Sequence, residues 1–249
     1  LNLIFVGVAV PIPWGDVQRG TRGGDVLYTN STLALNADTG EIDWYFQHIP
    51  GGNWDQDHPF ERIIVETEVT PDADAVSWIN PDIASDERRK VITGIPGKPG
   101  IVWTLDAATG EFLWATETNF QNVIVGVDIE GRKGITNPEI DITEIAQRKL
   151  VCPTAQGGIN WNSVGYSPQT NSLYTPTNNT CMTYYLRPVE PTIGLHHASA
   201  TNVPVAGPED DGLVGQFTSV DVATGETRWT YRQRAGIGGS VLTTGGGLV

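Results

Sequence analysis

Two carboxylates stand two residues apart in the stretch Gly51-Gly52-Asn53-Trp54-Asp55-Gln56-Asp57-His58. In an extended segment residues i and i+2 face the same way, so Asp55 and Asp57 share a side. Paired carboxylates repel unless a proton or a hard cation lies between them, whereas an exposed acidic loop needs neither. Trp54 weighs against the exposed loop, because a large aromatic is seldom left beside charge in full solvent. Lys98 lies in the rigid turn Ile95-Pro96-Gly97-Lys98-Pro99-Gly100, either as a solvated turn residue or as a fixed cation. His48, His58, His196 and His197 lack zinc spacing: the adjacent pair cannot put two ligands on one face, and no CxxC accompanies them. No phosphate-cradling glycine loop and no GxSxG occurs, so nucleotide-binding and serine-hydrolase chemistry find no support. Asp55 and Asp57 are also too close in sequence to flank a sugar from two sides as a glycosidase pair.

Three copies of one pattern frame these residues: LNADTGEIDW at Leu35–Trp44, LDAATGEFLW at Leu105–Trp114 and VDVATGETRW at Val220–Trp229. Thr-Gly supplies a tight hairpin turn, with Gly40, Gly110 and Gly225 free to take positive φ. The flanking strands are too short and too polar to bury a face alone, so each copy needs neighbours of its own kind. The copies start 70 and 115 residues apart, against roughly 40 to 50 per blade in common propeller repeats. Long insertions are therefore expected, with one more blade, lacking the signature, at Asn160–Pro176 around a turn at Ser167–Asn171.

Strands are expected at Asn2–Ala9, Thr32–Leu35, Ile42–Gln47, Ile63–Thr67, Val91–Ile95, Ile101–Leu105, Trp161–Tyr166, Ser172–Thr175, Met182–Tyr185, Gln216–Val220 and Arg228–Arg232. Asp141–Lys149 is the one expected short helix, and Pro188–Gly212 reads as a loop. The 29 glycines and 16 prolines among short strands favour an all-β fold. A formal charge of −14 argues against a nucleic-acid partner. No apolar run approaches the roughly 18 residues of a membrane-spanning helix. Cys152 and Cys181 enclose 28 residues and are either a disulfide or two unrelated thiols. The chain opens on Leu and stops as a strand begins, which reads as an internal piece of a longer protein.

Taken in order, Pro11–Trp14, Arg22–Asp25, the first repeat, Trp54-Asp55, Lys98-Pro99-Gly100, the second repeat, Cys152-Pro153, Asn160-Trp161, Asn178–Met182 and the third repeat resemble the pyrroloquinoline-quinone-dependent alcohol dehydrogenases, the quinoprotein group that includes methanol dehydrogenase. That resemblance implies an eight-bladed β-propeller with tryptophan-docking motifs, of which residues 1–249 hold about four blades of a single domain cut at both ends. It implies oxidation of an alcohol or related aldehyde by hydride transfer to the quinone. Asp55 matches the catalytic base and a metal ligand. Asp57 matches the additional metal-binding carboxylate of the lanthanide-using branch, so calcium or a lanthanide is the implied ion. Lys98 matches the basic residue on the quinone oxygens, and Asn160 with Trp161 matches cofactor contacts. The resemblance also implies a Cys152–Cys181 disulfide, a periplasmic location and cytochrome c or a similar electron acceptor.

Two positions depart from the pattern: Val10 stands where the family has a metal-ligating Asn, and Ile237 where it often has Trp or Asn. They leave a rival reading, a non-catalytic tryptophan-docked propeller serving as a periplasmic scaffold or interaction protein. By itself the 249-residue chain is expected to be inactive, since the remaining ligands and blades of the family pattern lie outside it.

Overall fold

A computed structural model describes residues 1–83, 87–190, 192–193 and 199–249. His196 and His197 lie outside the described residues. The first sheet places β1 (Leu3–Gly7), β2 (Ser31–Asn36) and β3 (Ile42–Gln47) antiparallel; β3 touches β10 (Lys133–Thr136) in parallel, with β9 (Ile124–Asp128) beyond it. The second orders β4 (Ile63–Val69), β6 (Glu87–Gly94), β7 (Ile101–Asp106), β8 (Phe112–Glu117) and β5 (Trp78–Ile79). The third runs β12 (Gly165–Ser167), β13 (Ser172–Asn178), β16 (Gly215–Asp221), β17 (Thr227–Gln233), and the fourth β11 (Lys149–Val151), β14 (Cys181–Leu186), β15 (Ala200–Val205). The fold is all-β as expected, apart from α1 (Asp16–Arg19) and a 3-10 turn at Pro138–Ile140.

The three repeats fold by the same local chemistry. Asn36, Asp106 and Asp221 each accept two backbone N–H bonds from the turn through Oδ1. The threonine hydroxyls of Thr39, Thr109 and Thr224 accept from the N–H of the following Glu at 3.2 Å. Gly40, Gly110 and Gly225 close the turns at φ 75°, 72° and 76°, in the left-handed region that costs an L-residue about 1–2 kcal/mol. Two of the glycines do more than turn. A Cβ on Gly110 would lie 2.5 Å from the ring of Trp44, and one on Gly225 would lie 2.9 Å from the ring of Trp114. The tryptophans of the first and second copies thus lie on the bare glycine of the copy that follows, and the Thr116 hydroxyl adds a 2.8 Å bond to the Gly225 carbonyl. Trp44 and Trp114 are buried, while Trp229 is 44% exposed and Gly40 has open space beside it.

The structure corrects three expectations. Asp141–Lys149 forms no helix: Ile140 and Ile142 are both buried, an extended spacing. Gln147 Oε1 takes the Thr143 N–H, and Ala146 adopts φ 65° while its N–H goes to the Leu186 carbonyl. Asn160–Pro176 is not a separate blade either, because β12 and β13 pair onto β16 and complete the sheet of the third repeat. The fourth sheet comes instead from β11 and from the β14–β15 hairpin inserted between β13 and β16. Pro188–Gly212, read as a loop, contains β15, an edge strand whose Pro204 and mostly exposed side chains hide the strand pattern. The β9–β10 hairpin also lacked a sequence signal; Asp128 Oδ1 secures its turn on the Gly131 N–H at 2.9 Å. Cys152 and Cys181 form a disulfide joining β11 to β14, worth roughly 3–4 kcal/mol for a loop of this size in the chain-entropy model.

Between the first two sheets two histidines lie buried with their rings stacked, His48 on His58, at 5.0 Å and 10°. The His48 ring shares a 2.8 Å bond with the Thr32 hydroxyl, and the His58 ring a 2.9 Å bond with the Gln56 carbonyl. Burial, with His58 and Arg62 adding, holds His48 well below the usual histidine range. Burial likewise pushes His58 down to about 3.

Alanine at Gly40 is expected to cost only the left-handed backbone penalty of about 1–2 kcal/mol. Alanine at Gly110 or Gly225 adds the overpacking cost of about 1–3 kcal/mol against a tryptophan ring; urea midpoints of the three variants check this, and equal losses would remove the docking role. For the histidines, depressed folded pKa values mean their contribution is complete above the unfolded value near 6.5 and is lost as pH falls below it. Each adds a slope of about 1.4 kcal/mol per pH unit. Unfolding free energy measured from pH 7 to 4.5 is expected to fall more shallowly in His48→Gln than in the wild type.

Candidate active site

The site is built from loops that the sheets bring together. Between β1 and β2, α1 sends the Arg19 guanidinium into a cage of carbonyls: those of Pro13 at 2.6 Å, Trp14, Gly51 at 2.9 Å and Gly52 at 3.1 Å. Asn53 braces the same junction, accepting from the Asp16 N–H at 2.8 Å and donating to Asp141 at 2.5 Å. These bonds fix the start of the loop that carries the carboxylates. Trp54 is buried in the core. Gln56, fully buried between the two aspartates, points away from them and donates to the carbonyls of Pro153 and Thr154 at 3.1 and 3.3 Å. Alternation along the extended chain therefore sends Gln56 to the disulfide segment and Asp55 and Asp57 together to the other side.

Lys98 meets them there. Its ammonium lies 2.7 Å from Asp55 Oδ1 and 3.0 Å from Asp57 Oδ2, and the residue is 5% exposed. The turn that presents it is locked from both sides: the Lys98 N–H donates to the Asp57 carbonyl at 3.0 Å, and the Gly158 N–H donates to the Lys98 carbonyl at 2.8 Å. Position 97 has no room for a side chain, since a Cβ there would lie 2.5 Å from the Asp57 carbonyl oxygen and the His58 ring. Two carboxylates and one ammonium leave this poorly solvated cluster one negative charge in excess. Burial pushes Asp55 up to about 6, with Asp57 adding and Lys98 opposing. Burial also acts on Asp57, but Lys98 and the Val10 N–H outweigh it and hold that carboxyl below the usual range.

The two departures have visible consequences. Val10 offers no side-chain donor and gives Asp57 its backbone N–H instead, at 3.0 Å to Oδ1. Ile237 is held by Asn178, which accepts from its N–H at 2.7 Å and donates to its carbonyl at 2.9 Å. The Asn178 N–H bonds the Gly158 carbonyl at 2.7 Å, so the third sheet reaches Lys98 through a backbone relay.

Asp55, Asp57 and Lys98 are thus brought together. Asn160 and Trp161 follow the segment that contacts Lys98, but among the described residues neither makes a hydrogen bond or ring contact with the three. Asn160 donates to the Gln156 carbonyl at 3.2 Å and leaves a buried Oδ1 unpartnered. Trp161 is 73% exposed, edge-on to Phe60 at 5.0 Å. Sequence reasoning missed Arg19, Asn53, Gln56 and Tyr184. The alternation that paired the aspartates could have flagged Gln56; Arg19 and Asn53 bond groups that no sequence spacing marks. Tyr184 is buried with its hydroxyl unpartnered among the described residues, and burial, with the charge of Asp55 adding, raises its pKa far above the usual tyrosine range.

In kind, the donors fit a hard cation, since carboxylate oxygens are its preferred ligands. Among the described residues no group of three or more ligating side chains forms, so Asp55 and Asp57 are a partial set beside the six to eight oxygens calcium takes. A buried ammonium and the unpartnered Tyr184 hydroxyl fit a ligand rich in acceptor oxygens.

Residues 1–121 match the family described as glucose/ethanol/alcohol dehydrogenase, beta-propeller domain. The lanthanide-dependent methanol dehydrogenase of Methylacidiphilum fumariolicum (strain SolV) is 27% identical over 249 residues, covering 100% of this chain and 38% of the relative. The 1-butanol dehydrogenase (cytochrome c) of Thauera butanivorans is 34% identical over 171 residues, 69% of this chain and 22% of the relative. A solved europium-containing methanol dehydrogenase superposes with a TM-score of 0.79 at 25% identity, covering 95% of this chain and 38% of its own. The chain therefore spans about two fifths of the length of its methanol-dehydrogenase relatives. With four sheets arranged as the blades of a β-propeller and similarity along its whole length, the chain belongs to the pyrroloquinoline-quinone-dependent alcohol and methanol dehydrogenase family.

Proposed function

We propose that the protein oxidises an alcohol or a related aldehyde, with pyrroloquinoline quinone and a calcium or lanthanide ion as cofactors. The observation that carries this reading is the buried cluster of Asp55, Asp57 and Lys98, set in the loops between the repeats. Asp55 and Asp57 would hold the cation; Lys98, Asn160 and Trp161 would hold the quinone. When bound, the quinone accepts hydride and the cation acts as a Lewis acid. Asp55 takes the hydroxyl proton of the alcohol, a step for which it must be ionised and within hydrogen-bond reach of substrate. Lys98 and the Arg19-braced loop hold that carboxylate in place, and Gln56 prevents the loop from turning its aspartates inward. Relatives named as cytochrome c-linked support a cytochrome c or similar acceptor. The disulfide supports an oxidising compartment, the periplasm. No helix among the described residues is long and apolar enough to cross a membrane. We read residues 1–249 as part of one propeller domain.

Val10 and Ile237 favour the rival, a non-catalytic propeller scaffold. Against it stands the cost of burying three charges, several kcal/mol per ion before pairing, which a scaffold has no reason to bear.

Reconstituting the full-length protein with pyrroloquinoline quinone and either calcium or lanthanum, then assaying dye reduction with a panel of alcohols, tests the proposal. Turnover with lanthanum is expected, and failure to bind quinone with either ion overturns the dehydrogenase reading. Turnover with calcium alone would remove the role given to Asp57. Asp55→Asn is expected to lower kcat by about 10²–10⁴-fold while quinone stays bound, the range for loss of a general base. The 249-residue chain alone is expected to show no turnover.

A further inference from the structure

The turn that carries Lys98 is also gripped by the two residues that follow β8. The Thr118 N–H and hydroxyl both donate to the Gly100 carbonyl, at 3.0 and 2.7 Å, and the Asn119 side-chain amide donates to the Pro99 carbonyl at 3.1 Å. The Thr118 carbonyl is held in turn by the third sheet, through the Thr177 hydroxyl at 3.2 Å and the Gln216 amide. Asn119 is 6% exposed, and its Oδ1 has no hydrogen-bond partner among the described residues. Two glycines make room for that oxygen. A Cβ on Gly100 would lie 1.7 Å from it and one on Gly158 2.3 Å from it, so the amide fills the side-chain space of both. Gly100 ends the Lys98 turn at a left-handed φ of 77°, and Gly158 supplies the N–H that holds the Lys98 carbonyl. The amide is thus a wedge between the two backbone segments that fix the lysine. Stability alone is a poor account of it, because a buried amide oxygen without a partner carries a desolvation penalty that a leucine of similar shape avoids.

We propose that Asn119 is a positioning residue for Lys98: its wedged amide sets the place from which the ammonium reaches Asp55 and Asp57, and ties that place to the third sheet. The inference rests on the reading of Lys98 as a working group of the site. The lysine backbone is bonded on one side to the Asp57 carbonyl and on the other to the Gly158 N–H. Asn119 meets Pro99, Gly100 and Gly158 at once, and so fixes the spacing between the turn and the segment that holds it. With the amide gone, Gly100 and Gly158 lose their common spacer and the turn opens more readily. An ammonium now held at 2.7 and 3.0 Å from the two carboxylates then spends part of its time in solvent.

The test is the acetylation rate of Lys98 in the folded full-length protein, followed residue by residue by mass spectrometry with the exposed Lys90 as internal standard. In the wild type Lys98 is expected to react far more slowly than Lys90. In Asn119→Leu it is expected to react about tenfold faster than in the wild type, the scale of one or two neutral hydrogen bonds lost from a local opening equilibrium, with Lys90 unchanged. Gly158→Ala, which drives a methyl against the Asn119 oxygen, carries the same expectation and serves if Asn119→Leu does not fold. Val69→Ala truncates a fully buried side chain at the far end of β4, opposite Glu87, and reports the effect of lost stability alone. Lys98 is expected to stay protected in it. Lys98 as slow in the turn variants as in the wild type overturns the positioning role, and so does equal exposure in Val69→Ala. Dye-linked turnover of the reconstituted Asn119→Leu protein separates this inference from the reading beneath it: kcat is expected to fall as Lys98 is freed. A freed lysine with kcat undiminished leaves the positioning standing and overturns the part given to Lys98 in the proposed function.

Discussion

The contact on which the rest of this molecule depends is an indole lying on a glycine that has no side chain to refuse it. Trp44 covers Gly110 and Trp114 covers Gly225, and both glycines hold a left-handed turn that any other L-residue adopts only at a cost. One residue type thus meets two demands at once. Neighbouring sheets can approach closely only because the turn and the docking surface are the same atom group. The aromatic core between the first two sheets, with Phe46, Trp103 and Phe112 in ring contact, fills the space that this approach creates.

The repeats hold the frame, and the loops between them hold the charges. Arg19 spends its guanidinium on four backbone carbonyls from two loops, a use that fixes geometry rather than charge. Gln56 ties the peptide between the aspartates to the disulfide segment. What remains is a small electrostatic unit of two carboxylates and one ammonium, with one negative charge in excess. Burial raises Asp55 to about 6, whereas at Asp57 the Lys98 ammonium and a backbone N–H from Val10, which Asp55 lacks, outweigh burial and lower the carboxyl.

What could be read in advance was what is local. The Asx-x-x-Thr-Gly-Glu turns fold through side-chain bonds reaching two or three residues, so their hairpins were legible, and Ile42–Gln47 matches its strand at both ends. Asp55 and Asp57 fell on one side because extended chains alternate. Their partner 43 residues away was assignable only by family resemblance, since nothing in the spacing links a turn lysine to a distant loop. Arg19 gave no sign, because its ligands are backbone carbonyls that every residue carries. Ala200–Val205 failed for a different reason: as an exposed edge it needs no apolar alternation, and β14 alone dictates its register. At Asp141–Lys149 helix-forming residues lost to tertiary demand, with a side-chain amide and a distant carbonyl taking the N–H groups a helix would have used.

The docking contact also has a sense of direction. Each copy presents a tryptophan to the next and a glycine to the one before, so the surfaces that meet are never alike. In symmetry language this is a heterologous, head-to-tail contact, which cannot satisfy itself by a twofold axis and repeats until rotation about an axis brings its two faces together. The exposed Trp229 and the open space beside Gly40 are the two unlike faces of that series. Turning one copy end for end would leave its own turn chemically intact and still set indole against indole on one side; the arrangement is therefore encoded by the polarity of the pairing and not by the identity of any one blade.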